Sequence, residues 1–268
     1  DAGDKSPFAL FALVMVSVMF AYEGWQNVTA VAGEIRQPQR NIPRALFAGL
    51  ALVTLLYVAA NFAFHGVLSV EEVASSKGGV AQAMAKRLLG PAAGGGIVLV
   101  ILFSTIGSLN GVVLANPRVL FAMGKDYPLI GRMARIHPLY GTPATALLTL
   151  FVVSGLYLVA AGMFVVFNPG KDLFGILSKY MVFATSIFYF LSVLASVVLR
   201  IRRPEVERPF RIPLFPLVPL LFLLLYGWFL WRIGFEQPLE AGIGLLVIFA
   251  GLAVYFLVFH RAGRDESK

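Results

Sequence analysis

The sequence contains no cysteine, which excludes disulfides, thiolate metal sites and cysteine nucleophiles together and leaves the redox compartment unread. Charge is also scarce. Asp, Glu, Lys and Arg make up 13% of the 268 residues, against about 25% in soluble domains. The three histidines, His65, His137 and His260, are isolated near span ends or in loops, and no acidic residues are spaced around them as metal ligands. No charged segment with a small-residue cleavage site precedes the first apolar run, and the first residue is Asp1. The chain therefore reads as a fragment with no signal peptide. What is abundant is apolar: 59% of residues are hydrophobic and the mean hydropathy is +0.82. These values identify an integral membrane protein, because each crossing of a hydrocarbon core about 30 Å thick takes roughly 20 apolar helical residues.

Seven such runs are predicted. The first extends from Pro7 to Glu34, and the second from Ala45 to Val67, with Asn41 expected as its cap and Pro43 in its first turn. In the more polar stretch that follows, Val80, Met84 and Leu88 share one helical face, which predicts an amphipathic surface helix over about 79–90. The run GPAAGGG at 90–96 lacks the Lys of a phosphate-binding loop and is expected to be a flexible turn. The third span covers Ile97–Met123, and the Gly- and Pro-rich stretch after it argues against continuous helix. A fourth span begins at Thr142 and Pro143 and ends near Phe167; a fifth, capped by Asp172, reaches Leu199. After the basic linker RIRRPEVERPFRIP, a sixth covers Leu214–Trp231 and a seventh Ala241–Phe259.

The net charge of +8 does not form one polar face, as a nucleic-acid surface would; it follows the loops. Alternate connections carry Arg36, Arg40 and Arg44, then Arg118, Lys125, Arg132 and Arg135, then Arg200, Arg202, Arg203, Arg208 and Arg211, and finally Arg261, Arg264 and Lys268. The opposite side receives only Lys5, Lys77, Lys86, Arg87, Lys171, Lys179 and Arg232. By the positive-inside rule the first set is cytoplasmic, which puts the amino terminus of this stretch outside and the carboxyl terminus inside.

One residue conflicts with an ordinary first span. In FAYEGWQN, residues 20–27, Glu23 lies within the apolar run, where an ionised carboxyl costs about 2.5–3.5 kcal/mol unless it faces protein or water. Gly24 beside it permits non-helical backbone, which is tolerated at membrane depth where it lines a cavity. Together they predict a helix broken near 20–25. Such a break offers carbonyls to cations and N–H groups to anions, and so suits a zwitterionic amino acid. The other reading is a kinked span in which Glu23 pairs with a neighbouring helix.

Four segments, FAYEGWQNVTAVAGEIRQPQRNIPRAL at 20–46, GSLNGVVLANPRVLFAMGKDYPL at 107–129, RIHPLYGTP at 135–143 and LRIRRPEVERPF at 199–210, together resemble the amino acid–polyamine–organocation transporters, in particular the L-type amino acid exchanger branch. The resemblance implies an all-α polytopic protein of APC/LeuT type. Residues 1–200 would form the second of two inverted five-helix repeats, and 201–268 two additional helices with a cytoplasmic tail. It implies further that the first five helices of the same protein are missing here.

In that family the first span here corresponds to a helix unwound at FAYEGW. Phe20 would close over the substrate. Ala21, Tyr22, Glu23 and Gly24 would form the turn whose carbonyls receive the substrate ammonium, and Trp25 and Gln26 would open the second half-helix. Glu23 departs from the small residue of animal L-type members. It is able to attract the ammonium, favour a cationic side chain, titrate with proton movement or hold a basic group on a missing helix. Ser104 and Ser108 share a face of the third span directed toward the pocket or an ion position; the alternative is that Gly107, Ser108 and Gly111 are small residues allowing close helix packing. Thr185 and Tyr189 share a face of the fifth, along the implied pocket wall, where hydrogen bonds to their own helix are the alternative. Glu34, beside the Arg-rich loop, is expected to form a structural ion pair at the cytoplasmic end and not to be a substrate ligand.

The resulting expectation is a secondary-active amino acid permease or exchanger in a bacterial-type inner (plasma) membrane. Its partners are an amino acid, the lipid bilayer and a coupling proton or sodium ion, without nucleic acid, cofactor, metal or enzymatic chemistry. A channel or a non-transporting membrane subunit is the alternative.

Overall fold

The computed structural model describes residues 7–76, 79–170, 173–236 and 238–259. Among these, every regular element is helical. The helices are α1 (Pro7–Ala21), α2 (Asn27–Ala30), α3 (Pro38–Val67), α4 (Val70–Ser75), α5 (Val80–Leu89), α6 (Pro91–Asp126), α7 (Ala144–Phe167), α8 (Leu173–Arg202), α9 (Leu217–Glu236) and α10 (Pro238–Val254). Short 3-10 turns occupy Ala32–Glu34 and Pro128–Ala134, and a π-helical turn at Tyr255–Phe259 follows α10. Five helices, α3, α6, α7, α8 and α9, are long and apolar enough to cross a membrane, while the apolar stretches of α1 and α10 are shorter. Their outward residues include Phe103 and Phe151, about three-quarters exposed at 74% and 76%. Water would penalise such a surface, whereas hydrocarbon does not, and helices are the elements that satisfy their own backbone there.

Several boundaries differ from expectation. Helix α3 starts at Pro38, after Gln37 in left-handed backbone at φ 49°, so Asn41 is not its cap. Asn41 instead donates from Nδ2 to the Arg36 carbonyl at 2.6 Å, and Pro43 lies inside the helix. The proline at 38 takes the first helical position, where its missing N–H has no partner to lose. The glycine run 94–96 is not a turn: Pro91 starts α6 and the helix runs through it for 36 residues. Glycine is a poor helix former in water, but backbone left open in lipid is costlier still. The expected cap Asp172 lies outside the described residues.

The chain divides into two compact units, residues 1–23 with 120–268 and residues 24–119. In the first, α1 packs on α8 and α9, and α10 packs on both of these. Its core is Val16, Val182, Phe183, Phe229, Ile233 and Ala241, edged by Met19, Phe20 and Trp228. Phe11 meets Trp228 at 5.9 Å between ring centroids, and a Cβ on Gly244 of α10 would come within 2.9 Å of the Phe183 ring. Glycine at 244 is therefore what lets α10 approach α8. In the linker, Arg208 donates to the carbonyls of Val206 (2.7 Å), Leu199 (3.2 Å) and Arg203 (2.8 Å), which closes the end of α8.

In the second unit, α3 packs on α4 and α5. Ser69 and Glu72 form a reciprocal capping box on α4, and Glu72 also pairs with Arg87 of α5. Gln82 of α5 donates to the Gly94 carbonyl of α6 at 3.3 Å.

Candidate functional site

The apolar run of α1 ends in an interruption. Its last regular bond is from the Tyr22 N–H to the Val18 carbonyl at 3.1 Å, and the Glu23 N–H then reaches the Phe20 carbonyl, tightening to three-residue spacing. Gly24 follows at φ +108°, a region that L-residues rarely adopt. Its N–H donates to Oε1 of Gln26 at 3.1 Å. Helix resumes only with α2, introduced by the bond from the Asn27 N–H to the Gly24 carbonyl.

Within the first unit the Glu23 side chain is tied to α8. The Tyr189 hydroxyl donates to Glu23 Oε1 at 2.6 Å, bridging residues 166 positions apart. A phenol donating to a carboxyl oxygen meets part of the cost of placing an acid in an apolar run. Phe20, at the end of α1, makes an edge-to-face contact with Phe174 of α8 at 5.4 Å. Thr185, one turn before Tyr189, donates to its own helix at the Met181 and Val182 carbonyls, at 2.8 and 3.3 Å. Ala21 and Tyr22 complete this side of the turn. The structure thus joins Glu23 and Tyr189 directly and keeps the Thr185 hydroxyl on α8.

Gly24, Trp25 and Gln26 belong to the second unit, together with Ser104 and Ser108, which lie exposed one helical turn apart on α6. Here Glu34 is in an ion pair, as expected, and its partner comes from α6. Arg118 of α6 donates from Nε to Oε1 at 2.7 Å and from Nη2 to Oε2 at 3.0 Å, a bidentate fork across 84 residues. Arg118 also donates to the Leu114 carbonyl one turn back. An arginine in an apolar helix leaves a strong need for a carboxylate, whereas Arg36, Arg40 and Arg44 reach water.

Glu34 lies outside the long apolar helices, and the Arg118 hydrogen bond, aided by its charge, holds its carboxyl below the ordinary value. The stabilisation is therefore complete above the ordinary carboxylate range and is lost as the pH falls through the lowered value. Glu34→Gln is expected to lower the melting temperature at neutral pH. The exchange Glu34→Arg with Arg118→Glu is expected to recover more than half of that loss. Melting curves in detergent for the full-length protein check this; equal losses in the single and exchanged variants would contradict it.

One contributor was not evident from sequence. Arg118 carried a signal, as a charge inside an apolar helix.

A sequence model of the family described as "Amino acid permease" matches residues 2–259. Among similar proteins, the serine/threonine exchanger SteT of Bacillus subtilis (strain 168) is 32% identical over 92% of this chain and 54% of its own length. The large neutral amino acids transporter small subunit 2 of Homo sapiens is 34% identical over 92% of this chain and 44% of its own length. The b(0,+)-type amino acid transporter 1 of Rattus norvegicus is 29% identical over 99% of this chain and 52% of its own length. The chain spans about half the length of these relatives.

Proposed function

Because the chain belongs to the amino acid permease family, we propose that it forms the carboxy-terminal part of a secondary-active amino acid transporter working by alternating access. The similar proteins are named for the transport or exchange of amino acids, which supports a carrier over a channel or a non-transporting subunit. Residues 1–200 act as the second inverted repeat, and 201–268 add two helices and a tail.

The observation that carries this reading is the interrupted helix at 21–26, with Gly24 at φ +108° and a carboxylate at its edge. A helix broken at membrane depth presents oriented backbone dipoles, and an amino acid carries the complementary ammonium and carboxylate. The backbone of Ala21, Tyr22, Glu23 and Gly24 receives the ammonium, Phe20 closes over the substrate, and Trp25 and Gln26 border it. Thr185 and Tyr189 border it from α8, and Glu23 adds negative charge for the cationic part of the substrate. The protein is multi-pass, and the loop charges support a plasma-membrane orientation with the amino-terminal end of this stretch outside and its carboxyl terminus cytoplasmic.

The full-length protein in proteoliposomes tests the reading. Saturable uptake of radiolabelled amino acid, competed by unlabelled substrate, is expected; conductance without saturation would reject it. Preloading with amino acid, an imposed pH gradient and an imposed sodium gradient separate exchange, proton coupling and sodium coupling in the same vesicles.

A further inference from the structure

We propose that the connection between α8 and α9 is a docking surface for anionic phospholipid, with Arg202 and Arg211 as the residues that take the headgroup phosphate. Arg202 lies about 20 Å along α8 from Tyr189, so this surface is separate from the interrupted helix and independent of which substrate is moved.

Helices α8 and α9 pack against each other and are joined by residues 203–216, so both ends of the connection meet the same membrane surface. Five arginines stand in this connection and the last turn of α8, at 200, 202, 203, 208 and 211, against two acids, Glu205 and Glu207. The loop charges make this surface cytoplasmic, where anionic lipid gives the leaflet a negative potential.

Three of the arginines are engaged within the protein. Arg200 lies over the Phe215 ring, 3.9 Å from its centroid, Arg203 is 3.8 Å from Glu205, and Arg208 closes the end of α8 through three carbonyls. Arg202 and Arg211 are exposed and have no hydrogen-bond or ion-pair partner among the described residues. A guanidinium at headgroup level without a protein acceptor matches a phosphate, which it grips through two parallel N–H···O bonds.

Apolar side chains alternate with this charge. Val206 is 52% exposed and Leu214 72%, and Phe210 between them is exposed as well. Water penalises such side chains, whereas the boundary between headgroups and acyl chains accepts them. Pro204, Pro209, Pro213 and Pro216, with the Arg208 bonds, restrict the backbone, so binding costs the connection less entropy. Positive charge interleaved with apolar anchors selects a phospholipid over a soluble anion.

The test uses the full-length protein in a non-ionic detergent, titrated with phosphatidylglycerol or phosphatidylcholine of the same acyl chains while melting is followed. Phosphatidylglycerol is expected to raise the melting temperature and phosphatidylcholine to leave it nearly unchanged, with the difference shrinking as salt is added. Each basic residue at an anionic surface strengthens association about fivefold. Arg202→Gln with Arg211→Gln is therefore expected to raise the phosphatidylglycerol concentration that gives half the shift by about tenfold or more, and to melt with the parent when no lipid is added. Glu207→Gln, which removes an acid from the same stretch, is expected to lower that concentration. Arg36→Gln with Arg40→Gln, in the second unit, is expected to leave it nearly unchanged. Equal stabilisation by the two lipids, an unchanged midpoint in the Arg202 and Arg211 double variant, or an equal loss in the Arg36 and Arg40 double variant would overturn the inference. Displacement of the lipid by inorganic phosphate or by poly-glutamate would overturn it too, by identifying a soluble anion or an acidic protein as the ligand.

Discussion

Glu23→Gln in the full-length protein is expected to lower kcat/KM for amino acid uptake, mainly through KM. A charge-assisted hydrogen bond contributes about 1.5–3 kcal/mol, and losing one corresponds to roughly a 10- to 150-fold effect. Glutamine keeps the side-chain length and an oxygen for the Tyr189 hydroxyl, which now bonds Oε1 at 2.6 Å. What it removes is the charge, so the variant should fold and insert as before. Glu23→Leu differs in kind, since it removes the acceptor of the Tyr189 hydroxyl together with the charge, and it should lower the melting temperature as well as uptake. Uptake kinetics beside melting curves distinguish the two effects. A Glu23→Gln protein with unchanged kinetics would make the carboxylate a structural partner of α8 alone and return the substrate cation to the backbone.

The second large effect is expected at Gly24. Its φ of +108° lies where an L-residue is strained, yet a Cβ there would meet nothing nearer than Asn27 Nδ2 at 3.8 Å. Any penalty therefore comes from the backbone and not from crowding. Holding a non-glycine residue in such a conformation costs about 1–3 kcal/mol, which the chain can avoid only by turning the peptide next to Glu23. Gly24→Ala is expected to reduce uptake by roughly 5- to 150-fold on that scale, and Gly24→Val, stiffer at χ1, to reduce it further. Substrate-dependent thermal stabilisation should fall in the same order. A valine variant with normal uptake would show that the turn does not need its present backbone.

These two substitutions separate the components of the turn, one removing a charge while keeping the backbone, the other changing the backbone while keeping the charge. The Glu34–Arg118 fork supplies a contrast, since both its groups lie in the second unit and its loss is expected to appear in melting curves.

Much of the fold was legible because lipid imposes one rule on every crossing: backbone groups must be satisfied within the segment. Apolar runs of sufficient length therefore marked α3, α6, α7, α8 and α9. The same rule explains the error at residues 94–96, where glycines that would end a helix in water continue one in α6. The beginning of α3 was misread for a local reason, as Pro38 and Pro43 were both eligible first-turn residues and Asn41 beside the second resembled a cap.

At the candidate site, the sequence by itself determined that a carboxylate stands beside a glycine inside an apolar run, because charge and backbone freedom are properties of residues. It also determined the family, through motifs that occur in a fixed order. It did not determine partners. That Glu23 meets Tyr189, and that Glu34 meets Arg118 and not the adjacent arginines, were decided only by tertiary packing. The physical reason is that a side chain's nearest polar neighbour depends on helix register and rotation. Those are set by the summed packing of Val16, Val182, Phe183, Phe229 and Ile233, and no single residue or spacing encodes them.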